Sequence, residues 1–146
     1  MYNIKMDKQI HYKAVIKMTS AKVRKEIQIP THLNVAGGKF YISSIAGRLT
    51  TADVSKLIHI ESTNLSNHHI YVTENGSNGV LATAVLSDVV SQHVLENDSN
   101  AVGFPTPTQL YHCPAVELTL TDKNHALITD LDFAEITLIL ICPVEE

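Results

Sequence analysis

The stretch Gln9-Ile-His-Tyr-Lys-Ala-Val-Ile-Lys-Met18 alternates apolar and polar side chains along its length. In an extended chain Ile10, Tyr12, Ala14 and Ile16 fall on one side and His11, Lys13 and Lys17 on the other, the period of a half-buried strand. The same period returns over Arg24–Ile29, Lys39–Ala46, Ser55–Ser62, His69–Thr73, Gly79–Leu86, Ala115–Thr121 and Glu135–Cys142. In Ser55–Ser62 the residues Leu57, His59 and Glu61 alternate with Ile58 and Ile60. No window of helical length carries an i, i+3, i+4, i+7 apolar stripe. The chain therefore reads as all-β, with eight strands.

The connectors have turn chemistry. Ala36-Gly37-Gly38, the hairpin signal Asn75-Gly76-Ser77-Asn78-Gly79, and Asp122-Lys123-Asn124 supply residues that tolerate tight or left-handed backbone. Thr50–Val54 suggests a short helix or turn, with Thr51 as its cap. The segment from Ser87 to Pro114 is too long for a simple connection. It is expected to run over the surface and touch a neighbour or the domain's own edge, with Phe104, Gln109 and Tyr111 as candidate contact residues.

Eight strands in 146 residues fit one antiparallel sandwich, and the eight-strand sandwich with two sheets over one core is the single jelly roll. The domain spans residues 1–146, with residues 1–8 as a flexible N-terminal arm. An immunoglobulin-like sandwich is the main competitor, but Trp is absent and the two cysteines, Cys113 and Cys142, both lie late. Composition agrees with one ordinary core: 45% of residues are hydrophobic and 18% charged, which excludes disordered and disulfide-stapled classes. The longest apolar run, Ile136–Val144, falls far short of the roughly 20 residues that span a bilayer. Charged and polar residues in Met1-Tyr-Asn-Ile-Lys-Met-Asp-Lys-Gln9 leave no apolar stretch for a signal peptide, so secretion by that route is not expected.

Charge is distributed unevenly. Residues 1–56 hold ten of the eleven basic residues against three acids, a net +7, and residues 57–146 carry −11. Such polarity gives a basic face toward nucleic acid, or complementary faces that meet between copies, unless early and late strands interleave and mix the charges on one surface. The densest basic cluster is Lys22, Arg24 and Lys25, a candidate subunit or nucleic-acid contact without the interleaved aromatics of a nucleic-acid motif.

Catalytic and metal-binding patterns are weak. His68 and His69 are adjacent and point to opposite faces of a strand, and the other histidines, at 11, 32, 59, 93, 112 and 125, are scattered, so no metal site is assigned. Cys113 stands beside His112, but neighbouring residues rarely present side chains to each other and no nucleophile elbow occurs. Asp130 and Asp132 share one side of an extended chain and could recruit a cation, although one such pair more often marks a solvated loop. Gly37-Gly38-Lys39 lacks Walker spacing. The sequons at Asn64, Asn75 and Asn97 carry no weight without a secretory signal, and both cysteines are expected to be reduced. No cofactor, catalytic residue or metal ligand is assigned.

The second half carries a resemblance. Lys56-Leu-Ile-His-Ile-Glu-Ser-Thr-Asn-Leu-Ser-Asn-His-His-Ile-Tyr71, with Gly79-Val-Leu-Ala-Thr-Ala-Val-Leu86, resembles the C-terminal jelly-roll region of the minor capsid, or penton, proteins of Polinton or Maverick elements, adintoviruses and virophages. Val116-Glu-Leu-Thr-Leu-Thr-Asp-Lys-Asn-His-Ala-Leu-Ile128 and Phe133-Ala-Glu-Ile-Thr-Leu-Ile-Leu-Ile141 look like the closing strand pair of that family. Asn124-His125 stands where the family often has Asn-Gly. The resemblance implies a single jelly roll without enzymatic activity, present in the virion and assembled inside the host cell. Its implied partners are copies of itself, a pentamer before a trimer, the major capsid protein, and packaged DNA through non-specific contact. The competing readings are a lectin-like or fibre-head module, trimeric, that recognises a glycan or host receptor, and a cupin-type enzyme, which would need converging histidines.

Overall fold

The computed structural model describes residues 9–20, 22–30, 35–62, 70–73, 76–94, 104–105 and 115–143. Among the described residues the chain forms ten strands: β1 (Gln9–Thr19), β2 (Arg24–Gln28), β3 (Lys39–Leu49), β4 (Ser55–Ser62), β5 (Ile70–Thr73), β6 (Gly76–Ser87), β7 (Ser91–Val94), β8 (Phe104–Pro105), β9 (Ala115–Thr121) and β10 (Leu131–Pro143). They make two antiparallel sheets. The first has the order β1-β10-β3-β7, with β8 pairing the start of β3, and the second the order β2-β9-β4-β6-β5. Setting aside β5 and β8, each sheet holds four strands, and early strands pair with late ones as in a jelly roll. No described helix is long and apolar enough to cross a membrane.

The alternation read from the sequence builds the core. From the first sheet Ile16, Met18, Phe40, Ile42, Ile45, Leu49, Ile136, Leu138 and Leu140 point inward. Ile58, Ile60, Leu86, Val116, Leu118 and Leu120 meet them from the second. Each such side chain contributes roughly 1.5–3 kcal/mol when fully buried. In β3 the inward positions change parity between Ile42 and Ile45, because Ser43 is an extra residue that interrupts the register with β10. The bulge keeps every core pair in place: Phe40 faces Leu140, Ile42 faces Leu138, and Ile45 faces Ile136. A second interruption, at Asp132 between Leu131 and Phe133, does the same at the other end of β10.

The strand assignments from sequence need one correction. The run ending at Thr73 forms a strand as expected, a hairpin partner of β6 in the second sheet; its predicted first residue, His69, lies outside the described residues. The strand missing from that reading is β7, inside the segment expected to be an excursion, where Ser91-Gln-His-Val94 pairs with Ser44–Gly47 of β3. It is short, polar and on an edge, so it carries no apolar alternation to read. The predicted turns at 36–38 and 122–124 form. Gly37 has φ +74°, and the amide of Gly38 donates to Val35 O at 3.0 Å. Asp122 Oδ1 accepts from the amides of Asn124 (2.8 Å) and Ala126 (3.1 Å). Residues Thr50–Asp53 turn without forming a helix. The proposed arm, residues 1–8, lies outside the described residues.

Gly47 lies where β3 runs against β10, and a Cβ there would sit 2.6 Å from Phe133 O, a backbone atom that cannot swing aside. Gly47→Ala is therefore expected to cost about 1–3 kcal/mol by overpacking. The check is a lower urea midpoint with unchanged slope, and a midpoint equal to that of the wild type would mean that β10 has room to move.

Candidate functional site

The three cations of the basic cluster do not converge. Arg24 is opposite Thr119 and Lys25 opposite Leu118, so their side chains leave opposite faces of the second sheet. Arg24 Nε is 3.5 Å from Glu117 Oε1, and Lys25 Nζ donates to Lys17 O at 3.2 Å. Lys22 is exposed at the turn between β1 and β2. Of the contact-loop residues, Phe104 pairs through its backbone with Phe40, which ties the segment to the domain's own edge; Gln109 and Tyr111 lie outside the described residues.

Charge is mixed within the subunit. Lys17–Glu135, Arg24–Glu117, Arg48–Asp132 and Lys56–Asp130 each join a residue of the basic first part to one of the acidic second part. Strand interleaving is the cause, since β1 lies beside β10 and β2 beside β9. Asp130 and Asp132, considered for a cation, are divided between two basic side chains. The bulge turns Asp132 toward Arg48, whose Nε donates at 2.8 Å, while Lys56 Nζ reaches Asp130 at 2.9 Å.

The most concentrated polar chemistry lies on the outer face of the second sheet, where sequence reasoning assigned nothing. Ile58 and Ile60 fill the core, so His59 and Glu61 project from the other side of β4. His59 is 8% exposed and Glu61 1%. The turn after β9 folds back over them, held by a bridge between Thr121 and Leu127. His125 Nδ1 bonds to Glu61 Oε1, and the His125 ring stacks on His59 with centroids 4.8 Å apart and planes within 9°. His59 Nδ1 lies 3.0 Å from Thr83 Oγ1 of β6, and Thr121 is its neighbour on β9. His125 has φ +63°, in the left-handed region that favours glycine. Burial, and then the stacked His125, push the His59 imidazole below its ordinary value against the pull of Glu61 and Asp122.

No group of three or more His, Cys, Asp or Glu side chains among the described residues is arranged to hold a metal. Cys142 is a free, buried thiol, pushed up by burial; Cys113, His112, His32, His68 and His69 and the sequon residues Asn64, Asn75 and Asn97 lie outside the described residues. An open cleft lined by Arg48, Thr50, Ala52, Asp88 and Asp132 sits at the end of the sandwich near the Thr50–Asp53 turn. Compared with known proteins, the chain matches no family model and no curated protein.

Burial alone would raise the Asp130 carboxyl, but hydrogen bonds from Lys56 and from Thr51 (2.9 Å), together with the Lys56 charge, hold it below its ordinary value of 3.8. A carboxyl depressed in the fold contributes stability that is full above that ordinary value and is lost as pH falls through the lower folded value. Asp130→Asn should therefore lower the urea midpoint at neutral pH and match the wild type in strong acid. A gap that persists in strong acid would assign the loss to packing instead of charge.

Proposed function

We propose that this protein is a non-enzymatic structural subunit of a virus particle, a minor capsid or penton protein whose copies close into a five-membered ring at an icosahedral vertex. The observation that carries the reading is the exposure of large apolar side chains on both edges of one sheet: Ile10 (43%) and Val15 (51%) on β1, and Val94 (73%) on β7. A ring is built from heterologous contacts, in which one flank of a subunit meets the opposite flank of the next, so both flanks need covering. A jelly roll presents two such flanks, and shells built from this fold are one of its common uses. The resemblance of residues 56–142 to penton jelly rolls agrees in kind.

In this reading the ring is held mainly by apolar contact, because much of the charge is already paired within each subunit. Lys22, Arg24 and Lys25 contribute to the flank that carries β1 and β2. The major capsid protein surrounds the ring, any contact with packaged DNA is non-specific and salt-dependent, and the particle is assembled inside the host cell.

Light scattering on a sizing column, at low and moderate salt, tests the stoichiometry. Five copies is the expected result. Three would transfer the assignment to a trimeric fibre-head or receptor-binding module, and a monomer at both salts would remove the ring from solution chemistry. Replacing Lys22, Arg24 and Lys25 together with Glu is expected to weaken assembly at low salt and to matter less as salt rises. Assembly unchanged at low salt would take those residues out of the contact.

A further inference from the structure

The buried cluster on the outer face of the second sheet has no part in the assembly reading. It joins side chains from β4 and β6 to a turn that is distant in sequence, since Glu61 and His125 are 64 residues apart. We propose that His59, His125 and Glu61 form an acid-operated latch, which fastens the Asp122–Leu127 turn to the sheet at neutral pH and releases it when His59 takes up a proton.

The geometry makes the protonation state of His59 decisive. His125 of the turn is bonded to Glu61, and its ring lies flat against His59. The hydroxyl of Thr83 can donate to an unprotonated His59 nitrogen or accept from a protonated one, so that bond tolerates either state. The stack does not: burial and the His125 ring lying flat against it both disfavour a proton on His59 in a site with little water. Relief comes by moving His125, and with it the turn, because β4 is held between β6 and β9.

Other groups set the balance. Among the described residues those facing His59 are Glu61 on its own strand, Thr83 from β6, Thr121 and Asp122 at the end of β9, and His125 from the turn. The two carboxylates favour the proton, and burial and His125 oppose it more strongly. The latch is therefore fully closed above the ordinary histidine value of 6.5 and is lost as pH falls from there through the lower folded value. Lys123 belongs to the same turn and lines the cleft beside Val54–Leu57.

Amide hydrogen exchange on the full chain reads the latch directly. The amide of Asp122 donates to Ala126 O and that of Ile128 to Leu120 O, so both are shielded only while the turn is seated. Corrected for intrinsic rates, their protection should fall about tenfold or more between about pH 7.5 and about pH 5, while Leu118 and Ile136 in the sheets hold theirs. His59→Gln should make the turn's protection independent of pH over that range. Unchanged protection in the wild type, or the same loss in His59→Gln, would overturn the proposal. Should that variant not fold, NMR titration of the wild-type imidazoles decides: His59 protonating in step with loss of the turn supports the latch, and protonation with the turn still seated refutes it. None of these readouts depends on whether the chain forms a ring.

Discussion

β10 lies between β1 and β3, and the fold depends on that placement. It is the most apolar strand of the chain, and alternate residues along it, from Ala134 to Cys142, are buried. It pairs with all eleven residues of β1 on one side and with most of β3 on the other. Without it the first sheet would fall into two pieces, and the inner face of the second sheet would lose its cover. Both bulges sit on this seam, and they show what the seam requires: the core pairs are kept and the backbone gives way. The same give turns Asp132 out toward Arg48 and sets one of the pairings, among the described residues, between the basic and acidic parts of the chain.

Much of this is legible in the sequence because period-two alternation is a direct record of burial. The strands that face the core on one side, β1, β4, β6, β9 and β10, announce themselves in that way. What is hidden has physical causes. β7 is an edge strand of four residues whose pairing rests on backbone bonds, so its composition says nothing. The end of β3 is disguised by the bulge at Ser43, which shifts Ile45 and Leu49 out of phase with Phe40 and Ile42. The histidine cluster is half visible: His59 and Glu61 share a face by simple alternation, whereas His125 joins them only because the Asp122 turn reverses the chain over that face. The charge asymmetry, conspicuous along the sequence, largely dissolves once early and late strands lie side by side.

The open edge of β1 shows how the surface is divided between restraint and contact. An eleven-residue strand in unbroken register invites further strands to add to it. Lys13 and Lys17 discourage this, and Lys25 occupies the carbonyl of Lys17. Backbone pairing is thus guarded while Ile10 and Val15 stay exposed. The edge therefore offers apolar side chains to its surroundings while its backbone is screened from strand addition.

The interleaved ion pairs also bear on how the chain is made. Arg24, Arg48 and Lys56 have emerged from the ribosome long before Glu117, Asp132 and Asp130 exist to meet them. Until then the exposed segment is strongly cationic beside a polyanionic ribosomal surface, and β1 waits for β10, a sheet partner distant in sequence. The first sheet therefore cannot close until β10 has been made, and its completion coincides with the pairing of basic residues of the first part with acids of the second.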